Sequence, residues 1–441
     1  MNSCNVQSPQ LSRRQFLQTS SSAIAGAALL GTLSTERSVH AAGTDLLKIA
    51  LVGCGGRGSG AANQALSAPG NTKLVALCDV QPDKVASSLA NLQKAHPDKI
   101  EVPPDHQFTD FEGYRKAIGL ADVVILATSP GFRPLHFEEA VRQGKHVFME
   151  KPVATDAPGI RQVLAAAAMA KEKNLKVGVG LQRRHKAGYL ETIKRIQDGA
   201  LGDLVLLRCY WDGGSRDGVE RLPNETEMHY QIRNWYYFTW LSGDHIVEQH
   251  VHNLDVGNWI KGEHPVRAQG MGGRQVRNQK RHGQIFDHHM VEFEYADGTR
   301  MLSQCRQIPG CWPSVTEHAH GTKGVADLAN DRNGFTIKGA ASWRYRAGKP
   351  RDAYQQEHDD LFEAIRNDKP YNEAEFGATS TMTGILGRMC TYSGKQIEWD
   401  DAFNSRIELV PKVTSWDSPS LVTPDAEGRY PIAIPGQTVC V

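Results

Sequence analysis

The chain of 441 residues carries 50 Lys plus Arg against 49 Asp plus Glu. Its length exceeds what a single core usually fills, so two domains are expected. Charges that nearly cancel, without a run of basic residues, argue against a nucleic-acid partner.

At the N-terminus, Ser12-Arg13-Arg14-Gln15-Phe16-Leu17 resembles the twin-arginine export motif. An apolar stretch from Ala23 to Leu33 and a small-residue site at Val39-His40-Ala41-Ala42 follow it. The apolar stretch is too short to span a bilayer, which takes about 20 residues, and no second long apolar segment occurs. Residues 1–42 therefore read as a signal peptide, and the mature protein as soluble and periplasmic, without stable membrane insertion. The alternative is a disordered N-terminus with an incidental arginine pair; pair, aromatic, apolar run and cleavage site in that order favour the leader. Twin-arginine export carries proteins already folded, commonly with a cofactor inside. Of 8 cysteines, removal of Cys4 leaves an odd number, and a chain folded in a reducing compartment gains little from disulfides. Spacing alone gives little reason to pair Cys305 with Cys311.

From residue 43 to 182, apolar runs alternate with helical patterns, as in βαβ units around a buried parallel sheet. The expected strands are Lys48 to Val52, Lys73 to Cys78, Val123 to Ala127, His146 to Glu150 and Lys176 to Gly180; the clearest helices are Pro134 to Gln143 and Pro158 to Lys173. Gly53, Gly55 and Gly58 follow the first strand in a G-x-G-x-x-G pattern. The first glycine permits a tight turn, the second lets the backbone approach a pyrophosphate, and the third allows close helix packing. Asp79 ends the next strand, where a carboxylate accepts hydrogen bonds from ribose hydroxyls and repels a 2′-phosphate, favouring NAD over NADP. Its structural alternative is a cap on the following helix.

Residues 183–400 change pattern. A helix from Ala187 to Asp198 precedes a strand from Leu204 to Trp211, an irregular segment from Asp212 to Trp235, and a helix from Asp244 to Lys261. Strands without intervening helices follow at Val266 to Gly272, Met290 to Tyr295, Arg300 to Arg306, Val325 to Ala329 and Phe335 to Lys338, with a hairpin turn at Tyr295 to Thr299. Such a succession predicts an open, largely antiparallel sheet in an α+β domain. Helices Tyr354 to Asn367 and Ala374 to Gly394 are expected to pack back across the domain boundary. Residues 401–441, interrupted by five prolines, read as an extended arm on the chain's own surface or a neighbour's. The overall class is α/β, with a Rossmann dinucleotide-binding domain first. Open sheet and arm together suggest a homo-oligomer.

The glycine pattern, Asp79, Ala127-Thr128 at a strand end, His136 on a helix, Gly144-Lys145-His146-Val147 and Glu150-Lys151-Pro152 occur in an order that resembles the Gfo/Idh/MocA oxidoreductases. The likeness extends through Glu357-His358-Asp359 and Phe362. The resemblance implies NAD(P)-dependent oxidation or reduction at a hydroxyl-bearing carbon of a sugar or polyol. It places Lys151 beside nicotinamide and substrate, and Gly53, Gly55, Arg57, Gly58, Asp79, Thr128, His136 and Glu150 around the cofactor. Like-charge repulsion disfavours an ammonium beside an oxidised nicotinamide, so Lys151 can orient the hydroxyl or relay its proton. The family's helical Asp and the His four residues later correspond to Glu248 and His252. Residues four apart share a helix face, so Glu248 is expected to hold the His252 ring while His252 exchanges the proton. Glu in place of Asp departs from the pattern, and a Glu and His satisfying each other on a buried face is the structural alternative.

The expected chemistry is hydride transfer from a sugar, polyol or glycoside to a tightly held NAD. Two competing readings are an NAD-dependent glycosidase working by transient oxidation and elimination, and a non-catalytic sugar- or metal-binding protein. Arg183, Arg184 and His185 fit either substrate contacts or inter-domain salt bridges. Trp235, Tyr236, Tyr237 and Trp240 fit a sugar platform less well than a core. His245, His250, His288, His289, His318 and His320 show no compact ligand spacing, and no metal is expected.

Overall fold

The strand-forming runs of the first domain are largely apolar, as expected when both sheet faces are covered: Val123-Val124-Ile125-Leu126 is wholly buried. In the computed structural model, which describes residues 45–329, 334–346, 348 and 351–441, these runs form one parallel sheet. Its strands are β1 (Leu47–Val52), β2 (Thr72–Cys78), β3 (Gln107–Phe108), β4 (Val123–Leu126), β5 (His146–Met149) and β6 (Val177–Val179), in the order β3-β2-β1-β4-β5-β6. Helices α1 (Gly56–Ser67), α2 (Pro82–Ala95), α3 (Gly113–Gly119), α4 (Arg133–Arg142) and α5 (Ala157–Glu172) make the crossovers. Helix α5 starts where Asp156 accepts the Gly159 N–H at 2.8 Å. From β1 the chain runs out through β2 and β3, then returns to the other side of β1 as β4. At the resulting switch point Gly53 and Thr128 lie side by side at the edge of a crevice. The leader motif, its apolar stretch and the cleavage site lie outside the described residues.

The second domain begins with α6 (Ala187–Arg195), β7 (Leu204–Gly213), α7 (Glu227–Arg233), α8 (Thr239–Ser242), α9 (His245–Glu248) and α10 (Val251–Lys261). It continues with β8 (Arg267–Gly273), β9 (His288–Glu294), β10 (Arg300–Gln307), β11 (Ser314–Gly321), β12 (Gly324–Ala329), β13 (Phe335–Gly339) and β14 (Trp343–Arg344). Then come α11 (Ala353–Arg366), α12 (Ala374–Ser393), β15 (Ile397–Glu398) and α13 (Trp399–Asn404). Nine strands form an open sheet in the order β14-β13-β12-β11-β7-β10-β9-β8-β15, antiparallel throughout except for β7 beside β10. The Tyr295–Thr299 turn closes as expected, with Tyr295 N–H bonded to Thr299 O at 2.9 Å and Gly298 at φ 84°. Helix α12 buries 17 of its 20 residues, because sheet, α5 and α10 surround it. Helix α11 returns to the first domain and puts Leu361 and Phe362 among Ile49, Leu77 and Phe148.

Three expectations need correction. The segment from Asp212 to Trp235 is not wholly irregular. It contains α7, capped by Thr226 and buried under Val422 and Tyr430 of the C-terminal arm, a contact too distant in sequence to leave a local pattern. The helix from Asp244 to Lys261 is two helices, broken where His250 N bonds His245 O at 3.1 Å, one residue further back than an α-helical step. Strand β11 lies mid-sheet yet escapes sequence detection, because Ser-Val-Thr-Glu-His-Ala-His-Gly lacks an apolar alternation. The arm lies on the chain's own surface: Leu409 N bonds Asp156 Oδ2 at 2.8 Å, and Thr226 Oγ1 bonds Trp416 O at 2.9 Å.

Buried ion pairs join the two domains. Arg183, just after β6, pairs with Glu317 in β11, and Arg184 grips both oxygens of Asp255 in α10 at 2.8–3.1 Å. His185 lies between Asp360 and Glu373; burial opposes its charge, but the two carboxylates raise its pKa to about 10. These residues thus take the inter-domain role rather than contacting substrate. Burial lifts the Glu317 carboxyl to about 7 despite Arg183 and the Tyr189 and Asn253 hydrogen bonds. Removing the cation by Arg183→Met is expected to cost about 3–5 kcal/mol of stability in urea denaturation. The loss should be larger above neutral pH, where Glu317 must stay ionised, and adding Glu317→Gln should recover much of it.

Candidate active site

The three glycines of the first βα turn meet three different steric demands. Gly53 has φ 97°, and a Cβ there would lie 2.4 Å from Thr128 N. At Gly58 a Cβ would lie 1.9 Å from Gly53 O, so α1 can approach the turn only without a side chain. At Gly55 a Cβ would meet nothing, and the backbone faces open space. Helix α1 starts there with no side-chain cap and no acidic residue in its first turn. Its free N–H groups and dipole suit an anion.

Asp79 stands at the end of β2 beside this turn. Its Oδ2 accepts the Cys54 N–H at 2.8 Å and its Oδ1 the Gln81 N–H at 2.9 Å. Gln81, not Asp79, is the N-cap residue of α2. Burial raises the Asp79 carboxyl, and the two backbone donors oppose that rise. Across the crevice, Thr128 Oγ1 lies 3.2 Å from His136 Nδ1. Burial and the cations of Arg133 and Arg115 push His136 down to about 3, so it stays neutral.

Lys151 follows β5 and precedes a cis peptide bond to Pro152. Its Nζ donates to the Glu248 carbonyl oxygen at 2.6 Å and lies 3.3 Å from Glu248 Oε1. Glu248 therefore turns its carboxylate to Lys151 rather than to the His252 ring. The widened step between α9 and α10 takes positions 248 and 252 off a common α-helical face. The His252 ring stacks on Trp211 at 5.9 Å and 21°, with Nδ1 unpartnered. Burial, then Lys151, Arg183 and Arg57, drive its pKa well below the ordinary histidine value. Glu150 is ion-paired with Arg57, which also approaches Glu357 at 3.7 Å. Burial and Glu150 raise the Glu357 carboxyl well above normal.

Gly53, Gly55, Arg57, Gly58, Asp79, Thr128, His136, Glu150, Lys151, Glu248 and His252 all border one cleft of about 1320 Å³. That exceeds a typical pocket for one drug-sized ligand, about 300–1,000 Å³, leaving room for a dinucleotide and a second molecule. Further walls come from Trp211, Arg216, Trp235, Gln249 and Tyr354, and from Val413 and Trp416 of the arm. Of these, the sequence pointed only to Trp235, as part of a candidate sugar platform. Among the others Trp211, at the end of an expected strand, offered the best signal, whereas Val413 and Trp416 offered none. Of the aromatic cluster only Trp235 reaches the cleft; Tyr236, Tyr237 and Trp240 are core.

Residues 47–181 match the model of the oxidoreductase family with an NAD-binding Rossmann fold, and residues 189–327 that of the GFO/IDH/MocA C-terminal domain. An inositol 2-dehydrogenase of Ralstonia nicotianae is 29% identical over 259 residues, 58% of this chain and 66% of that protein. Inositol 2-dehydrogenase 3 of Saccharopolyspora erythraea is 27% identical over 260 residues, 58% of this chain and 65% of its own. The chain thus matches just under two thirds of the length of these relatives. Among solved structures, an aldose-aldose oxidoreductase from Caulobacter crescentus complexed with glycerol aligns with TM-score 0.63 and 20% identity, covering 80% of this chain and 99% of that one. A levoglucosan dehydrogenase in complex with NADH and levoglucosan aligns with TM-score 0.62 and 17% identity, at 80% and 99% coverage. At these identities the structural matches establish the fold alone.

Gly55 and Gly58 separate binding from folding. Gly55→Ala, with open space around its Cβ, should stay within about 0.5 kcal/mol of the parent's stability yet weaken NAD binding at least about tenfold by calorimetry, since about 1.4 kcal/mol suffices. Gly58→Ala should lower both stability and affinity.

Proposed function

The chain belongs to the GFO/IDH/MocA oxidoreductase family, and from that premise we propose that it is an NAD-dependent oxidoreductase acting on a hydroxyl-bearing carbon of a sugar, polyol or glycoside. The observation that carries this reading is one cleft shared by the glycine turn, Asp79 and a lysine facing a buried neutral histidine. The inositol 2-dehydrogenase relatives favour a polyhydroxylated substrate.

The turn at Gly53–Gly58 and the α1 N-terminus would hold the pyrophosphate, and Asp79 would take the ribose hydroxyls. Bound NAD supplies the hydride acceptor. His252, neutral in its buried setting, accepts the proton of the substrate hydroxyl. Lys151, steadied by the Glu248 carbonyl, stabilises the negative charge developing on that oxygen. The C–H bond gives up its electron pair as hydride, the O–H bond gives up its proton, and a carbonyl remains.

This reading includes tight retention of NAD, which is supported by Val413 and Trp416 of the arm: both wall the cleft, with Trp416 edge-on to Phe111 at 4.9 Å. This enclosure also favours the second reading, glycoside cleavage by transient oxidation, in which one retained cofactor returns to its starting state each turnover. The leader motif supports a periplasmic location. Among the described residues no helix is long and apolar enough to cross a membrane. Exposed Val205, Met271 and Trp312 support association into a homo-oligomer, which light scattering would test.

Lys151→Met is expected to lower turnover by about 10²-fold or more while NAD affinity changes only a few-fold. An unaltered turnover would remove Lys151 from the reaction. Because His252 is held below its ordinary pKa, the base stays unprotonated in mild acid; kcat/KM should show no acid limb near the usual value of about 6.5. Purified protein should carry NAD, and folded protein that is empty and unable to bind it sinks the proposal. With a glycoside substrate, accumulation of NADH marks net oxidation, whereas aglycone release without NADH marks the transient route.

A further inference from the structure

Away from the cleft, Asp244, His245 and His289 converge in the interior of the second domain. Each offers a donor atom within 4.8 Å of the others, and all three are buried. Asp244 and His245 come from the turn that opens α9, His289 from β9. Asp244 Oδ2 lies 3.4 Å from His289 Nε2, and Asp244 Oδ1 lies 3.9 Å from His245 Nε2. Ligand atoms around a tetrahedral zinc ion lie about 3.3 Å apart, so small side-chain shifts complete that geometry.

Polar atoms at this point are left without hydrogen-bond partners: His289 Nε2 and both ring nitrogens of His245 are buried and unpartnered. His289 Nδ1 is taken up by Thr391 Oγ1, 2.9 Å away, so the free nitrogen of this ring is the one that faces Asp244. A cation between the three side chains would take one lone pair from each imidazole and one from the Asp244 carboxylate.

The surroundings fit a metal-ligand shell. Tyr392 Oη and Phe286 N donate to Asp244 Oδ2 at 2.6 and 2.9 Å, orienting the carboxylate, while Thr391 Oγ1 holds the His289 ring through Nδ1. Asp244 also adopts φ 72°, a region in which glycine is free of strain and an aspartate is not. Its carboxylate also caps α9 by accepting the His245 N–H.

We propose that Asp244, His245 and His289 bind a structural divalent transition-metal ion. Two imidazoles and one carboxylate suit zinc, cobalt or manganese better than magnesium or calcium, which prefer all-oxygen shells. The ion anchors the first turn of α9. Glu248 N bonds Asp244 O at 2.9 Å, so the same turn delivers Glu248 to Lys151. The site does not depend on the redox reading of the cleft.

Elemental analysis of the full chain, purified without chelator or histidine tag, should find about one equivalent of such a metal. Stripping it should lower the melting temperature, and cobalt added back should restore the temperature and give a ligand-field absorption band. Asp244→Gly, which suits the backbone, and His245→Gln should each abolish the band and the bound metal. His288→Gln, a half-exposed neighbour bonded to Asp287, should keep both. Folded wild-type protein that contains no metal and takes up neither zinc, cobalt nor manganese overturns the proposal. So do Asp244→Gly and His245→Gln variants that retain wild-type metal content.

Discussion

Glu317 is buried in the middle of an open sheet, on a strand between β7 and β12 that packs against α10, where an ionised carboxylate persists only if charge and hydrogen bonds compensate it. Its compensating groups come from three elements. Arg183 extends from the exit of β6, Tyr189 from α6 donates at 2.9 Å, and Asn253 from α10 donates at 2.6 Å. Asn253 is the neighbour of His252. Satisfying one buried oxygen pair therefore fixes where the second domain holds its histidine relative to the first domain's strand ends. Arg184, Asp255 and Ser380 repeat the arrangement one layer away, tying α10 to α12.

The same architecture sets the electrostatics of the cleft. Lys151, Arg183 and Arg57 all disfavour a proton on His252, and burial adds to them. Such a site makes the imidazole a weaker base than in water, but it stabilises negative charge on a nearby oxygen. A hydroxyl placed there is acidified by the field that weakens the base, and the two effects offset each other in the transfer. The pairing of Glu248 with Lys151 limits how far that field extends. This is a physical reason for a long acidic side chain at position 248: from the shifted end of α9, it has to reach a lysine on another element.

Sequence patterns carried the first domain almost completely, because strands buried on both faces are mostly apolar and the turn glycines are dictated by sterics at Gly53 and Gly58. The second domain was legible where strands alternate and opaque where polarity is buried. Strand β11 was missed because it carries Glu317, whose partners are contributed by Arg183, Tyr189 and Asn253. The histidines at 245 and 289 showed no ligand spacing, because a tertiary contact between helix α9 and strand β9, not periodicity within one element, brings them together. Residues 248 and 252 looked like one helical face, since a single i to i−5 step leaves no mark on composition.

Trp416 and Val413 lie well beyond residue 327, where the family match ends. The groups assigned to chemistry, Lys151, Glu248 and His252, all lie within it. The arm has no helix or strand after α13 and holds its course through Leu409 on Asp156, Trp416 on Thr226, and Tyr430 against Tyr230 and Phe238. Attachment by separate short contacts gives the cleft a wall that can open locally without disturbing either sheet. Under the proposed function, reaction and cofactor retention fall to different parts of the chain. Changes in the arm can alter how long a dinucleotide stays while leaving the reacting groups in place.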